Sequence, residues 1–389
     1  MKKIALIFTL ILNIFIAKAQ ENVITTAVPF LTVAADAKSA GMADIGSATA
    51  ADAFSQQWNP AKYAFAIDKQ GFSASYTPYL TDLVNDISLG QLTYYNRITE
   101  RSAFATSFRY FGLGDIELRY TGDPDEPVRT VSPNEFALDG SYALKLSEKF
   151  SMAVAGRYIH SSLKVATENG DASAANSFAV DVAGFFQSEE IPYSDFNGRW
   201  RGGVNFQNMG PKMSYDNDEF STNFLPANLK MGAGFDFIFD EYNKLGLNVE
   251  LNKLMVPTPQ DPDLNGDGTI TPEERAQNLD DYRSIGWFEG MFQSFGDAPG
   301  GFSEELKEIT YGIGTEYLYQ DSFALRMGYF YENPDKGNRE FFSLGAGFKY
   351  SSAKIDVSYL FSASDVKNPL ENTLRFSLTF SFGEKYSEF

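Results

Sequence analysis

The sequence predicts an all-β protein, a 14-stranded antiparallel transmembrane β-barrel of the outer membrane with an N-terminal plug or hatch, and three observations carry that expectation. The first is composition. With 35 Phe, 21 Tyr and 32 Gly against 9 Met, 3 Trp and one His, the chain is rich in strand and turn formers and too aromatic for disorder. The second is strict alternation: Leu374, Phe376, Leu378, Phe380 and Phe382 are interleaved with Arg375, Ser377, Thr379 and Ser381, so one face is apolar and the other polar. The pattern recurs in Leu245, Leu247, Val249 and Leu251, and again in Leu229, Met231, Phe235, Phe237 and Phe239. The third is segment length. Most alternating segments reach about 10 residues, the length of a tilted membrane-crossing strand, whereas sandwich strands run about 5 to 6.

Taken from the N-terminus, residues 1–19 read as an export signal. Lys2 and Lys3 precede an apolar-dominated run from Ile4 to Ile16, and Ala17-Lys18-Ala19 supplies a small-residue cleavage site before Gln20. That run is too short to span a bilayer, and no other stretch approaches the roughly 18 apolar residues of a membrane helix. Loss of Lys2, Lys3 and Lys18 takes the formal charge from −19 to −22, which argues against nucleic acid as a partner. The chain has no Cys, so neither disulfides nor a thioether lipid anchor are available to it.

Residues 20–69 lack strand alternation and are rich in Ala, Gly and Ser, which permit close backbone approach. Asp36, Asp44 and Asp52 are placed to pair with inward-facing cations, so the segment is expected to fill the lumen. The barrel follows over 70–389. Its strands are expected at 70–79, 87–96, 101–112, 134–146, 149–163, 176–188, 199–209, 226–239, 243–252, 308–319, 322–332, 340–350, 353–363 and 370–382. Connection lengths test this independently, because bacterial barrels keep short turns inside and long loops outside. With the first strand running outward, every inner connection except 189–198 is a few residues, while the outer ones include 113–133, 164–175, 210–225 and the largest, 253–307. Inward-facing polar positions carry both signs, among them Arg109, Asp139, Arg157, Asp181, Glu250, Arg326 and Arg375. A fourteen-strand barrel is narrower than the 16- to 18-strand porins and is readily closed by a polypeptide.

The longest outer loop carries a motif with its own chemistry. Asp263, Asn265 and Asp267 at positions 1, 3 and 5, Gly268 at 6, Thr269 at 7 and Glu274 at 12 match the twelve-residue calcium loop, whose alternate oxygens converge on one point. Thr271 as N-cap and Pro272 at the first helical position predict a short helix after it. Pro257, Pro259 and Pro262 forbid a helix before it, so a bound calcium would be structural, ordering 253–307, and no other cofactor is required. Further along, Trp287, Phe288, Met291, Phe292 and Phe295 form an apolar cluster that is expected either to dock a protein partner or to pack on the rim or in lipid.

The stretch from Ala40-Gly41 through Trp58-Asn59-Pro60-Ala61 resembles the N-terminal hatch of the FadL-like long-chain fatty-acid transporter barrels, which is followed directly by the first strand. On the opening from Val28 to Phe65 and the short C-terminal tail, the mature chain as a whole is similar to the PorV (LptO) family of outer-membrane components of the type IX secretion system. The resemblance implies a non-enzymatic barrel with Trp58, Asn59 and Pro60 in its hatch. It implies a protein that binds the C-terminal signal domain of secreted cargo, docks beside a SprA-type secretion pore and hands cargo to a surface attachment complex. The wider superfamily implies the alternative, a transporter of hydrophobic small molecules. A lipid-modifying enzyme is disfavoured because His160 is the only histidine, so a Ser-His pair has no second candidate. His160 is expected at an interfacial position. Gly312, Gly314, Gly345 and Gly347 are expected to leave lumen space, and Asp123, Asp125 and Glu126, interleaved with Pro124 and Pro127, to form a solvated turn.

Overall fold

The computed structural model describes residues 23–81, 83–119, 128–164, 173–215, 222–364 and 368–386, so the expected signal segment and the turn around Asp125 lie outside it. Its wall is built from β1 Asp68–Pro78, β2 Ile87–Arg97, β3 Ser102–Leu113, β4 Asn134–Lys145, β5 Phe150–Ser162, β6 Ala175–Gln187 and β7 Asn197–Met209. It continues with β8 Asn228–Ile238, β9 Asn243–Leu254, β10 Ile309–Tyr319, β11 Phe323–Tyr331, β12 Glu340–Tyr350, β13 Ala353–Ser362 and β14 Leu374–Lys385. Each strand pairs antiparallel with its sequence neighbours. β14 returns to β1, with Phe72 opposite Phe380 and Tyr76 opposite Phe376, so the fourteen-strand sheet closes on itself. Closure leaves the wall with no open edge, which is the condition for spanning lipid.

The fourteen expected segments are the fourteen strands. The clearest boundary difference is the last: 370–373 is a turn and not strand, because Pro369 has no N–H to donate and Asn372 takes a left-handed φ of 56°. Burial inverts the pattern of a soluble protein. Outward Leu138, Phe178, Val249 and Leu325 are exposed, while inward Arg109, Asp139, Asp181, Glu250 and Arg375 are buried. The tight inner hairpins use left-handed residues, Gln320 and Asp321 in one and Ser351 in another, as two-residue turns require. The long inner connection is itself an extension of the wall, since Ile191–Pro192 pairs with Asn197 and Gly198.

Residues 27–66 lie within the ring. At the outer end Val28, Phe30 and Leu31 pack on Leu89, Phe111, Ile159 and Leu225. At the inner end Tyr63 and Phe65 pack on Tyr95, Phe185 and the small residues Ala103, Ala105 and Ala153. The segment therefore runs from the outer mouth to the inner rim, where β1 begins. Two single-turn helices interrupt it, α1 Ala37–Ala40 and α2 Ser55–Trp58. The small residues have a steric reason: a Cβ on Gly41 would stand 2.9 Å from the Gly345 Cα, and one on Gly203 would collide with the Ser47 carbonyl oxygen. Here two backbones touch without side chains between them.

Candidate functional site

Within the lumen segment, Trp58, Asn59 and Pro60 form the joint. Asn59 is extended, with φ −164° and ψ 97°, the conformation imposed on a residue before proline, and Pro60 opens a 3₁₀ turn over Pro60–Phe65. The Asn59 Oδ1 accepts from the Ala61 N–H at 3.0 Å, capping that turn, while its Nδ2 donates to the Ser47 and Gly184 carbonyls at 3.0 Å each. An amide is the one short side chain that can do both. A carboxylate of the same shape would point negative oxygen at two carbonyl oxygens. Trp58 is buried, its Nε1 donates to Asp36 Oδ1 at 2.7 Å, and the Lys230 ammonium stands 4.4 Å over its ring.

The wall holds the segment chiefly through its backbone. Glu250 of β9 accepts from the Gly46 and Ser47 N–H groups at 2.9 and 2.7 Å. The Ser343 and Ser377 hydroxyls accept from the Ala43 and Ala37 N–H groups at 2.8 Å each. Arg109 and Asn205 donate to the Leu31 and Trp58 carbonyls at 2.9 and 2.8 Å. Of the three acids expected to meet wall cations only Asp44 does so, at 3.0 Å from Arg375. Asp52 pairs with Lys38 of its own segment at 2.8 Å, and Asp36 caps α1 by accepting from the Ser39 N–H. Several wall cations are instead held by wall carboxylates. Arg157 sits 2.6 Å from Asp139 and 2.9 Å from Asp181, and Arg326 sits 2.5 Å from Glu316 and 2.8 Å from Asp356. Buried charges left unpaired would cost several kcal/mol, and these cross-strand pairs supply the partners within the sheet.

Above the segment a cavity of about 320 Å³ opens at the outer mouth, lined among others by Ile24, Asp44, Lys230, Glu332, Lys336 and Arg339. Its lining is mixed, with Val23, Pro226, Leu254 and Phe330 beside the charged groups. The long outer loop frames it and contains α3 Pro272–Ser284, α4 Trp287–Gln293 and α5 Phe302–Glu305. The loop is fastened at a few points. Lys212 Nζ donates to the Arg283 carbonyl at 2.7 Å, Tyr282 packs edge-on to Phe224 at 5.5 Å, and Lys253 pairs with Glu305 at 3.2 Å and also with Glu308. Lys336 joins Glu304 at 2.5 Å and Glu308 at 2.9 Å. Burial alone would lower its pKa, but the two glutamates more than offset this and raise it.

The structure divides the expected calcium ligands. Asp263 accepts from the Gly266 and Gly268 N–H groups at 2.9 and 2.8 Å, Asn265 from Asp267, and Asp267 from Thr269, giving one compact exposed turn with Thr269 at its end. Glu274 is turned away. Its Oε2 accepts from the Thr271 N–H at 2.9 Å while Thr271 caps α3 in return, a complete capping box. Among the described residues no three His, Cys, Asp or Glu side chains are gathered as a metal site. The aromatic cluster is divided too: Phe288, Phe292 and Phe295 are exposed, whereas Met291 is buried against Ala227, Leu229 and Met255 with Trp287 beside it. His160 stacks on Phe136 at 4.8 Å and its Nδ1 bonds the Asn176 Oδ1 at 2.8 Å, at the outer end of β5. Glu250, Arg109, Asn205 and Gly203 are anchors of the lumen segment that sequence reasoning did not single out for that purpose. The one signal for them in the sequence was their inward position in the alternation.

Among solved structures, the Pseudomonas putida toluene transporter TodX superposes with a TM-score of 0.51 at 11% identity, covering 89% of this chain and 98% of that one. The CymD monoaromatic hydrocarbon channel gives 0.49 at 12% identity over 90% and 98%, and a Pseudomonas aeruginosa FadL homologue gives 0.44 at 13% over 93% and 100%. At such identities the likeness to TodX speaks for the shared fold. None of the curated proteins matches the chain. The family model described as type IX secretion system protein PorV matches residues 16–261, more than half of the sequence, and the chain accordingly belongs to the PorV family.

Proposed function

We propose that the protein is a non-enzymatic outer-membrane barrel that binds the C-terminal signal domain of secreted cargo, docks to a SprA-type pore and passes cargo to the surface attachment complex. One observation carries this reading beyond family membership: residues 27–66 pack against both ends of the lumen with backbone-to-backbone contact at Gly41 and Gly345, which favours work at the outer face over conduction through the bore. In this reading residues 20–69 act as a hatch that contains Trp58, Asn59 and Pro60, and the export signal is removed before Gln20.

Purification from native membranes tests it. Cargo bearing the C-terminal domain, together with a very large barrel, is expected to co-purify. Retention of fatty acid or another hydrophobic compound, with no cargo, would overturn it in favour of a transporter, as TodX is for toluene. The cavity at the outer mouth, with Ile24, Leu254 and Phe330 as well as Asp44, Lys230 and Arg339 on its walls, is where such a compound would be sought. A structural calcium ion at Asp263, Asn265, Asp267 and Thr269 is a separate, local proposal. Glu274 would have to exchange its bonds at Thr271 for the ion.

A further inference from the structure

At about 100° per residue, the seven positions of α4 divide into three strips. Trp287, Gly290 and Met291 form the first and turn to the wall; Gly290 is so close that a Cβ there would stand 2.7 Å from Pro257. Phe288 and Phe292 form the second, with rings 5.2 Å apart and side chains 60% and 66% exposed. Glu289 and Gln293 form the third, joined by a bond of 3.1 Å from the Gln293 amide to the Glu289 carboxylate. A helix with one edge aromatic and the opposite edge polar, its back to a protein wall, suits a boundary between oil and water.

The wall beneath it is on the lipid side. Leu229 lies between Asn228 and Lys230, both of which line the lumen cavity, so alternation turns Leu229 outward. Its cross-strand partner Phe206 and the next outward residues, Met231 and Leu251, are exposed toward lipid, whereas Leu229 is buried in one cluster with Ala227, Met255 and Met291. The height is also defined. Leu251 pairs with Tyr311, which stacks on Tyr331 at 4.9 Å in the aromatic belt, and Leu229 pairs with Lys253 one outward step beyond. Such belts mark the membrane interface.

We infer that α4 is an interfacial helix, and that the partner of Phe288 and Phe292 is the acyl-chain region of the outer leaflet, with Glu289 and Gln293 toward water. The chain has no cysteine, so single nitroxide labels can be placed cleanly at F288C, E289C, F292C and Q293C in the full protein. Each labelled protein is reconstituted in phosphatidylcholine vesicles, and collision with oxygen, which concentrates among acyl chains, is compared with collision with a water-soluble nickel chelate. The oxygen-to-nickel ratio is expected to be about threefold or more higher at 288 and 292 than at 289 and 293. Equal ratios at all four positions would overturn the inference by placing the aromatic edge in water. Exclusion of both reagents at 288 and 292 would overturn it by showing that a second copy covers that edge. All four side chains are exposed, and heat-modifiable migration of each variant verifies that the barrel has formed.

Discussion

Residues 27–66 and residues 253–307 are each irregular segments with single-turn or short helices, yet they are held in opposite ways. In the first, nearly every side chain is buried and the backbone is fastened to strands all around the ring, at Glu250, Ser343, Ser377, Arg109 and Asn205. In the second, no residue of α3 is buried, and the attachments include Met291, Tyr282, the Lys212–Arg283 bond and the Lys253–Glu305–Glu308–Lys336 cluster. A segment locked by backbone contacts on all sides tolerates little change in shape. A segment pinned at a few side chains can vary between pins. The bore is thus the rigid part of this molecule and the outer face the adaptable part.

The contrast can be broken from the lumen side first. Trp58→Ala removes a buried indole and its bond to Asp36, and is expected to lower stability by about 3–5 kcal/mol, read as an earlier urea midpoint in detergent. Gly203→Val drives a side chain into the Ser47 carbonyl. A cost of about 1–3 kcal/mol is expected, with new protease cuts within 27–66, and unaltered resistance there would show that the segment is not fixed by close backbone approach. On the loop side, Lys253→Met leaves Glu305 and Glu308 without their shared cation. A local loss of about 1–3 kcal/mol should speed proteolysis of 253–307 while the barrel unfolds at the same denaturant concentration, and coincident loss of both would make the loop part of the barrel's cooperative unit. The smallest effect concerns Thr271→Ala, which removes one half of the capping box and should cost about 1 kcal/mol of α3 stability, visible as faster amide exchange over 272–284. Calcium added to the native protein should slow proteolysis of the loop, and a chelator should reverse this. Identical digestion in both would remove the case for an ion at Asp263, Asn265 and Asp267.

Strand number, length and polarity were legible because alternation is a local signal: Leu374 to Phe382 declares its two faces without reference to any other part of the chain. The pairing inside the bore was not. Nothing in the residues near Asp52 says that its partner is Lys38, fourteen positions earlier, or that Glu316 and Asp356 have already claimed Arg326. Those assignments depend on cross-strand register and on competition among buried charges, which are global quantities. Glu274 was ambiguous for a different reason. One carboxylate fits two local motifs, a metal loop and a capping box, and the sequence satisfies both. Met291 illustrates a third kind of gap: Phe288, Phe292 and Phe295 around it are exposed, and only its place in one cluster with Ala227, Leu229 and Met255 explains why it is covered, with Trp287 beside it.

The seam between β1 and β14 joins the strand translated first to the one translated last. No closed cylinder can exist until the C-terminal strand has been delivered, and residues 27–66, tethered directly ahead of β1, lie beside that seam's first strand from the outset. Closure of this barrel is therefore a late event in its synthesis, by which time the chain that fills it has long since been made.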